Sequence, residues 1–220
     1  MNKLAQYITS SFESVRLKKQ NFILISNNCW GFELYHSVAR PYNTPFIGLF
    51  LYPDCYIQLL ENFDKCINDT LTFKAFSKYT NATAKYPIGS LANDVEIHFL
   101  HYDSEADALD KWNRRVSRLK EDISREVPIF VKFCDRDGCT SDHLSRFHKT
   151  PFKHKLSIST HAVDHLFHFY QPELKDTEYE SVVDGLNLFR KRYKHFDITH
   201  WIRCKTPKPT YYSKILSCLS

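Results

Sequence analysis

The stretch NFILISNNCWG, residues 21–31, decides how this chain is read. Phe22, Ile23, Leu24 and Ile25 form an unbroken apolar run that stops abruptly at Asn27 and Asn28. A short continuous run bounded by turn residues suits a strand buried on both faces, as in a parallel sheet. A helix is expected to follow over residues 31–39, with Phe32, Tyr35 and Val38 on one side and Arg40-Pro41 as its stop. Working outward, the alternation repeats. Residues 45–51 read as a second buried strand, and Pro53-Asp54 opens a helix carrying Tyr56, Leu59, Leu60, Phe63 and Ile67. Short strands are expected over residues 71–76 and 86–91, and a clearer one over residues 95–100. Ser104, with Asp107 three residues on, caps a long helix to about Asp122 whose stripe is Leu109, Trp112, Val116 and Leu119. Residues 127–133 and 155–159 read as further strands, with a helix capped by Thr140 between them.

This order predicts an α/β fold of three layers, a mostly parallel central sheet with helices on both faces and a Rossmann-like or SGNH-like topology. An amphipathic helix over residues 3–19 precedes it, with Leu4, Ile8, Phe12 and Val15 at helical spacing and Arg16, Lys18 and Lys19 at its end. Residues 161–204 read as a helical or irregular C-terminal extension of the same domain, and residues 205–220 as a linker and tail.

Composition bounds the function. The 220 residues carry 30 Lys+Arg against 25 Asp+Glu, a formal charge of +5 that is mildly basic and lacks the dense basic stripe of a nucleic-acid binder. The N-terminus has no apolar signal-peptide run, and the seven cysteines include no C-x-x-C pair. Reduced thiols, a cytoplasmic location and at most peripheral membrane contact are expected. No Walker A, G-x-G-x-x-G, H-E-x-x-H or G-x-S-x-G motif is present.

In such sheets ligands sit at the carboxyl ends of the strands, so the polar residues just past each strand carry the information. The first strand ends Asn27-Asn28-Cys29-Trp30-Gly31, where a helix begins. A thiol at a helix N-terminus has a lowered pKa, and an asparagine amide donates to an oxyanion, so Cys29 is a candidate nucleophile and Asn27 or Asn28 a candidate oxyanion donor. A cysteine packed beneath a substrate-binding turn is the alternative. No histidine adjoins Cys29 in sequence, which favours packing; His101 within hydrogen-bond reach of it would favour catalysis. His101 and Asp103 leave the strand at residues 95–100 as a candidate base and its orienter, whereas His98 reads as a satisfied core histidine. Arg114 and Arg115 are candidates for a phosphate or carboxylate clamp. Lys132 and Asp135, with Arg136 and Asp137, end the next strand and read as substrate-binding. His161, His165 and His168 would share a face if helical, a spacing compatible with zinc, but clustered histidines alone do not make a metal site.

Several segments together resemble one family: ISNNCWG at residues 25–31, RPYNTPFIGLF at 40–50, YPIGSL at 86–91, EIHFLHYDSEADALDKWNRRVSRL at 96–119 and KFCDRDGCT at 132–140. It is a bacterial domain-of-unknown-function family, nineteen-nineteen in that series, whose members are often labelled exopolysaccharide or capsular polysaccharide biosynthesis proteins. The resemblance spans roughly residues 20–200. This chain has Phe32 where a second glycine is expected after Gly31, which leaves less room for close backbone approach at that turn. A capsule acetyltransferase family that binds coenzyme A is similar in ending its first strand in an Asn-Cys turn. The SGNH-type esterases resemble the fold plan, but their Ser and late Asp-x-x-His are not evident here.

The resemblance implies a role in surface-polysaccharide assembly on a sugar or polysaccharide precursor. The expected function is a sugar-modifying transferase such as an O-acyltransferase. In it Cys29 or an activated substrate hydroxyl does the acyl chemistry and His101 with Asp103 acts as base. Asn27, Asn28, Trp30, Gly31, Lys132 and Asp135 line the substrate, and Arg114 and Arg115 hold an anionic donor such as an acyl-coenzyme A. A glycosyltransferase using Mg²⁺ or Mn²⁺ at Asp135 and Asp137 is the alternative, and a non-catalytic sugar- or nucleotide-binding component built on Trp30, Tyr42 and Trp112 a third.

Overall fold

A computed structural model describes residues 3–79, 84–178 and 181–210. The residue 22–25 run forms β1, Ile23–Ser26, buried along its whole length. It pairs in parallel with β5, Ile129–Cys134, which pairs in parallel with β6, His154–Ser159, and that with β7, His168–Tyr170. The order is β1-β5-β6-β7. The mixed α/β class and the parallel sheet agree with the reading of the sequence.

Side-chain alternation assigns the helices to the two faces. Ile23, Ile25, Val131 and Phe133 point into one core, shared with α3 (Pro53–Glu61), α4 (Phe63–Asn68), α5 (Glu105–Ser124) and α6 (Ser141–Lys149). Leu24, Phe130, Cys134, Leu156 and Ile158 point into the other, beneath α1 (Lys3–Lys18), α2 (Trp30–Ser37), α7 (Gly185–Arg190) and α8 (Ile198–Cys204).

Five expectations are corrected. The strand over residues 95–100 is shorter, β4 (Val95–His98), and joins β2 (Thr72–Lys74) and β3 (Ile88–Leu91) in a separate antiparallel sheet, order β2-β3-β4. Residues 45–51, buried apart from the half-buried Phe50, form no strand, because Gly48 adopts φ +72° and breaks the extended run. They act as a strap instead. Leu51 N–H donates to Asn27 O at 3.0 Å, and Phe50 exchanges backbone hydrogen bonds of 2.9 Å in both directions with His98. The strap covers the exposed edge of β1 and ties the two sheets together. The extension over residues 161–204 contains the fourth parallel strand and two packed helices. His161 and His165 lie in a loop and His168 on β7, so the three do not share a helical face. Finally, Phe12 and Val15 of α1 are 63% and 65% exposed, not core; the side chains of Leu4 and Ile8 lie outside what is described. Residues 205–210 reach back, with Pro209 bridging Phe196, and the tail from 211 lies outside the described residues.

The α5 reading holds in detail. Ser104 accepts from Asp107 N–H at the N-cap, and Trp112, Val116 and Leu119 are buried while Arg118 is exposed. Among the described residues no helix is long and apolar enough to cross a membrane. Trp112 meets Phe46 and Phe99 edge-on, at 5.7 and 6.1 Å, and is only 2% exposed. Trp112→Ala removes that contact and leaves a large void, so urea unfolding should show a loss of ~3–5 kcal/mol. A loss below ~1 kcal/mol would mean that the strap and α5 are held by other contacts.

Candidate functional site

The site grows from Lys132. Alternation on β5 puts its side chain on the α2 face, between Phe130 and Cys134, where it has no solvent exposure. Its Nζ donates to Asn28 Oδ1 at 3.3 Å and Asn27 Oδ1 at 3.5 Å, and lies 5.7 Å from the Trp30 ring centre. Burial pushes the lysine pKa below its usual 10.5, and the neighbouring thiols and Asp135 only partly oppose that. The two asparagines hold the strand ends together. Asn27 Nδ2 donates to Cys134 O at 3.3 Å, Asn28 Nδ2 to Cys134 Sγ at 3.0 Å, and Trp30 N–H to Asn28 Oδ1 at 3.2 Å. From the opposite face, the Tyr56 hydroxyl lies 3.0 Å from Ile25 O and 2.9 Å from Lys132 O.

On this support sits Cys29, the residue before α2. Its Sγ lies 3.5 Å from His101 Nε2. The strap makes this meeting, because His101 N–H donates to Gly48 O at 3.1 Å while Leu51 binds Asn27. A Cβ on Gly48 would stand 3.4 Å from His101 Cβ, so this crossing is close as well as left-handed. The sulfur is not poised as a thiolate. Burial, then Glu33 and Asp184, push its pKa up to about 11 against a weaker pull from Lys132, which reverses the lowering expected from the helix N-terminus. The pair is therefore a neutral thiol beside an imidazole, the state in which the base takes the proton as the sulfur reacts.

Cys29 and His101 line a cavity of about 390 Å³ together with Asn28, Phe32, Glu33, Arg136, Asp137 and Asp184. The sequence reading thus brings together Asn28, Cys29 and His101, but Trp30 and Lys132 lie beneath the floor. Trp30 is fully buried against Phe189 and Phe196. Gly31 is buried at the head of α2, and a Cβ there would stand 3.0 Å from Ser26 Cβ. Asn27 and Asn28 direct their amide donors to Cys134 and not to the cavity. Asp103 is exposed and makes no hydrogen bond to His101 among the described residues. Asp135 is at its expected strand end, but its Oδ1 accepts from Val182 N–H and its Oδ2 from Ser159 Oγ, Thr160 N and Thr160 Oγ1, at 2.6–2.9 Å. It pins the loops around the cavity. Arg114 is exposed on α5 and pairs with Asp110, while Arg115 lines a second cavity beside His101. His98 is buried, 2.7 Å from Glu96 Oε1, as a core histidine. Among the described residues no His/Cys/Asp/Glu group has metal-holding geometry.

Asp184 and Gly185 were missed by the sequence reading. Asp184 caps α7, accepting from Leu186 and Asn187 N–H. A Cβ on Gly185 would come within 2.7 Å of Asn28 Oδ1 and 2.8 Å of Trp30 N, so only glycine lets α7 close against the Cys29 turn. The signal was an Asp before a run with Leu186, Leu188 and Phe189, a helix start inside a segment read only as helical or irregular.

Fold and site together define an α/β protein with a thiol–imidazole pair set where a parallel sheet and a small antiparallel sheet meet. The chain belongs to the family described as Domain of unknown function (DUF1919), whose model matches residues 1–203. An uncharacterized protein of Haemophilus influenzae is 34% identical over 208 residues, covering 91% of this chain and 93% of that protein.

Two measurements test the electrostatics. Because burial lowers the folded-state pKa of Lys132, the unfolded chain binds more protons between that lowered value and about 10.4. The stability of the native protein relative to Lys132→Met should therefore rise with pH across that window; a pH-independent difference in denaturant midpoints would place the ammonium in a polar, hydrated setting. For Cys29, iodoacetamide labelling should be slow at pH 7.5 and accelerate about tenfold per pH unit towards 11. A plateau near 8.5 would contradict a buried neutral thiol.

Proposed function

We propose that this chain is a sugar-modifying transferase of surface-polysaccharide assembly, an O-acyltransferase that moves an acyl group from an activated anionic donor to a sugar hydroxyl. The observation that carries the reading is the 3.5 Å approach of Cys29 Sγ to His101 Nε2 at a cavity large enough for a small ligand. As the sulfur attacks the donor carbonyl carbon, His101 takes the thiol proton. The tetrahedral adduct collapses, the donor's leaving thiolate departs, and the imidazolium returns the proton to it. A sugar hydroxyl then attacks the thioester, His101 accepts the hydroxyl proton, and Cys29 leaves and is reprotonated. The Cys29 backbone N–H, whose hydrogen bond to the sulfur favours the thiolate, assists as the proton leaves. Glu33, Asp137 and Arg136 give the cavity the mixed acceptors and donors that a hydroxyl-rich acceptor needs. Burial raises the Asp137 carboxyl pKa, with Arg136 opposing, which favours its role as a hydrogen-bonding wall. For glycosyl transfer the pair Asp135 and Asp137 is less suited, since the Asp135 oxygens are taken up by the loop donors around them.

Intact-mass analysis tests this directly. Incubation with acetyl-coenzyme A, or with the acetyl thioester of N-acetylcysteamine, should add one acetyl group that hydroxylamine removes and that maps to Cys29. Cys29→Ala should take up none while keeping its melting temperature within a few degrees. His101→Ala should slow the labelling at least ~100-fold, the usual worth of a positioned general base. Labelling at another cysteine, or equally fast labelling of His101→Ala, would overturn the mechanism.

A further inference from the structure

A second cavity, of about 380 Å³, adjoins the first and shares Phe32 and His101 with it. The two differ in charge. The cavity over Cys29 is lined by the carboxylates of Glu33, Asp137 and Asp184, with Arg136. The second is lined by Lys111 and Arg115 with Tyr42 and Tyr102, and among the described residues no carboxylate lines it. Arg115 is half-buried, yet it pairs with no carboxylate among the described residues. Arg114, Arg125, Arg136, Arg146 and Arg192 each have one; Arg40, half-buried and likewise without one, lines neither cavity. A partly buried guanidinium without a counter-charge is a site that an anion completes.

Arg115 is also held in place. Its Nη1 donates to Tyr102 Oη at 2.5 Å and to Ile47 O at 3.4 Å, and its guanidinium lies 5.0 Å from the Tyr42 ring centre. A ligand therefore meets a cation whose rotamer entropy is already spent, and the guanidinium fork suits phosphate oxygens. Lys111, one helical turn earlier, is fixed by Asp107 at 2.8 Å and lies 5.1 Å from the Tyr102 ring centre. The half-buried rings of Phe32 and Tyr42, 6.2 Å apart and tilted by 42°, line the same cavity. Cations beside aromatic faces suit phosphates joined to a flat ring.

We propose that this cavity binds a nucleoside diphosphate, with its phosphates on Arg115 and Lys111 and its base against Phe32 and Tyr42. Its service as the seat of the activated donor rests on the reading of Cys29 and His101 above; the binding itself does not. A coenzyme A-type thioester and a nucleotide sugar both carry this group, and adenine or uracil preference separates them.

Calorimetric titration of the full chain with ADP, UDP and inorganic pyrophosphate decides the matter. At least one nucleotide should bind at least tenfold more tightly than pyrophosphate. Arg115→Gln should raise its Kd at least tenfold and Lys111→Gln severalfold, and Phe32→Ala should remove the advantage over pyrophosphate. Tighter ADP points to a coenzyme A-type donor, tighter UDP to a nucleotide sugar. Arg115 also ties the strap to Tyr102, so the Lys111 and Phe32 variants and thermal melts of all three separate lost binding from lost folding. No binding of either nucleotide at millimolar concentration overturns the proposal, as does wild-type affinity in folded Arg115→Gln or Lys111→Gln. Pyrophosphate binding as tightly as the nucleotides overturns it too. Cys29 labelling by the N-acetylcysteamine thioester, which has no nucleotide, reports on the acyl chemistry alone, so the two readings fail separately.

Discussion

Lys132 has no solvent exposure, and its amine lies among Asn27, Asn28 and the Trp30 ring at the carboxyl end of the parallel sheet. A lone ammonium in such a place costs several kcal/mol, so the protein surrounds it with amide oxygens fixed by other bonds. Those same amides reach across to Cys134, and the Asn28 oxygen also accepts the Trp30 N–H. One buried amine thereby fixes the register of β1 against β5 and the position at which α2 starts. Cys29 has little freedom of its own, because both of its chain neighbours belong to this network.

The second constraint is the strap. A β-strand at the edge of a sheet leaves its backbone donors and acceptors open, and β1 is such an edge. Here Tyr35 Oη accepts Leu24 N–H, Asn43 Nδ2 donates to Phe22 O, and Asn27 O accepts Leu51 N–H. Residues 41–52 satisfy the edge together with Tyr35 of α2, and through Phe50 and Gly48 they bind the end of β4 and the turn after it. Covering an edge and delivering His101 to Cys29 are thus one structural act. The Gly48 crossing sits within van der Waals contact of His101, which ties the backbone's left-handed turn to the position of the imidazole.

The thiol pKa follows from the same arrangement. A short helix supplies little positive potential, while burial and two nearby carboxylates oppose ionisation. A neutral thiol is protected from adventitious alkylation and oxidation and becomes a nucleophile only when a base removes its proton. The neighbouring cavities divide polarity between them, one rich in carboxylates and one in cations, with His101 on the wall they share.

Much of the fold was legible in the sequence because it rests on local patterns. The apolar run before Asn27 marked β1, and Ser104 and Thr140 marked the helices they cap. The stripe through Trp112, Val116 and Leu119 marked the buried face of α5. Cys29, His101 and Asn28 were legible as polar residues at element ends. What the sequence did not carry was partnership. Residues 45–51 are as apolar as a strand, and only the Gly48 turn and the Asn27 and His98 backbone contacts make them a strap. Val95–His98 has strand composition whichever sheet it joins, and its antiparallel pairing with Ile88–Leu91 is a long-range choice. The sequence by itself determined where β1 ends and where the helices capped by Ser104 and Thr140 begin, since those depend on neighbours along the chain. Tertiary structure alone decided that a thiol and an imidazole 72 positions apart would stand 3.5 Å from each other. It also placed Trp30 and Lys132 below the cavity and not in its wall, because only three-dimensional packing decides which face of an element meets the core and which meets a ligand.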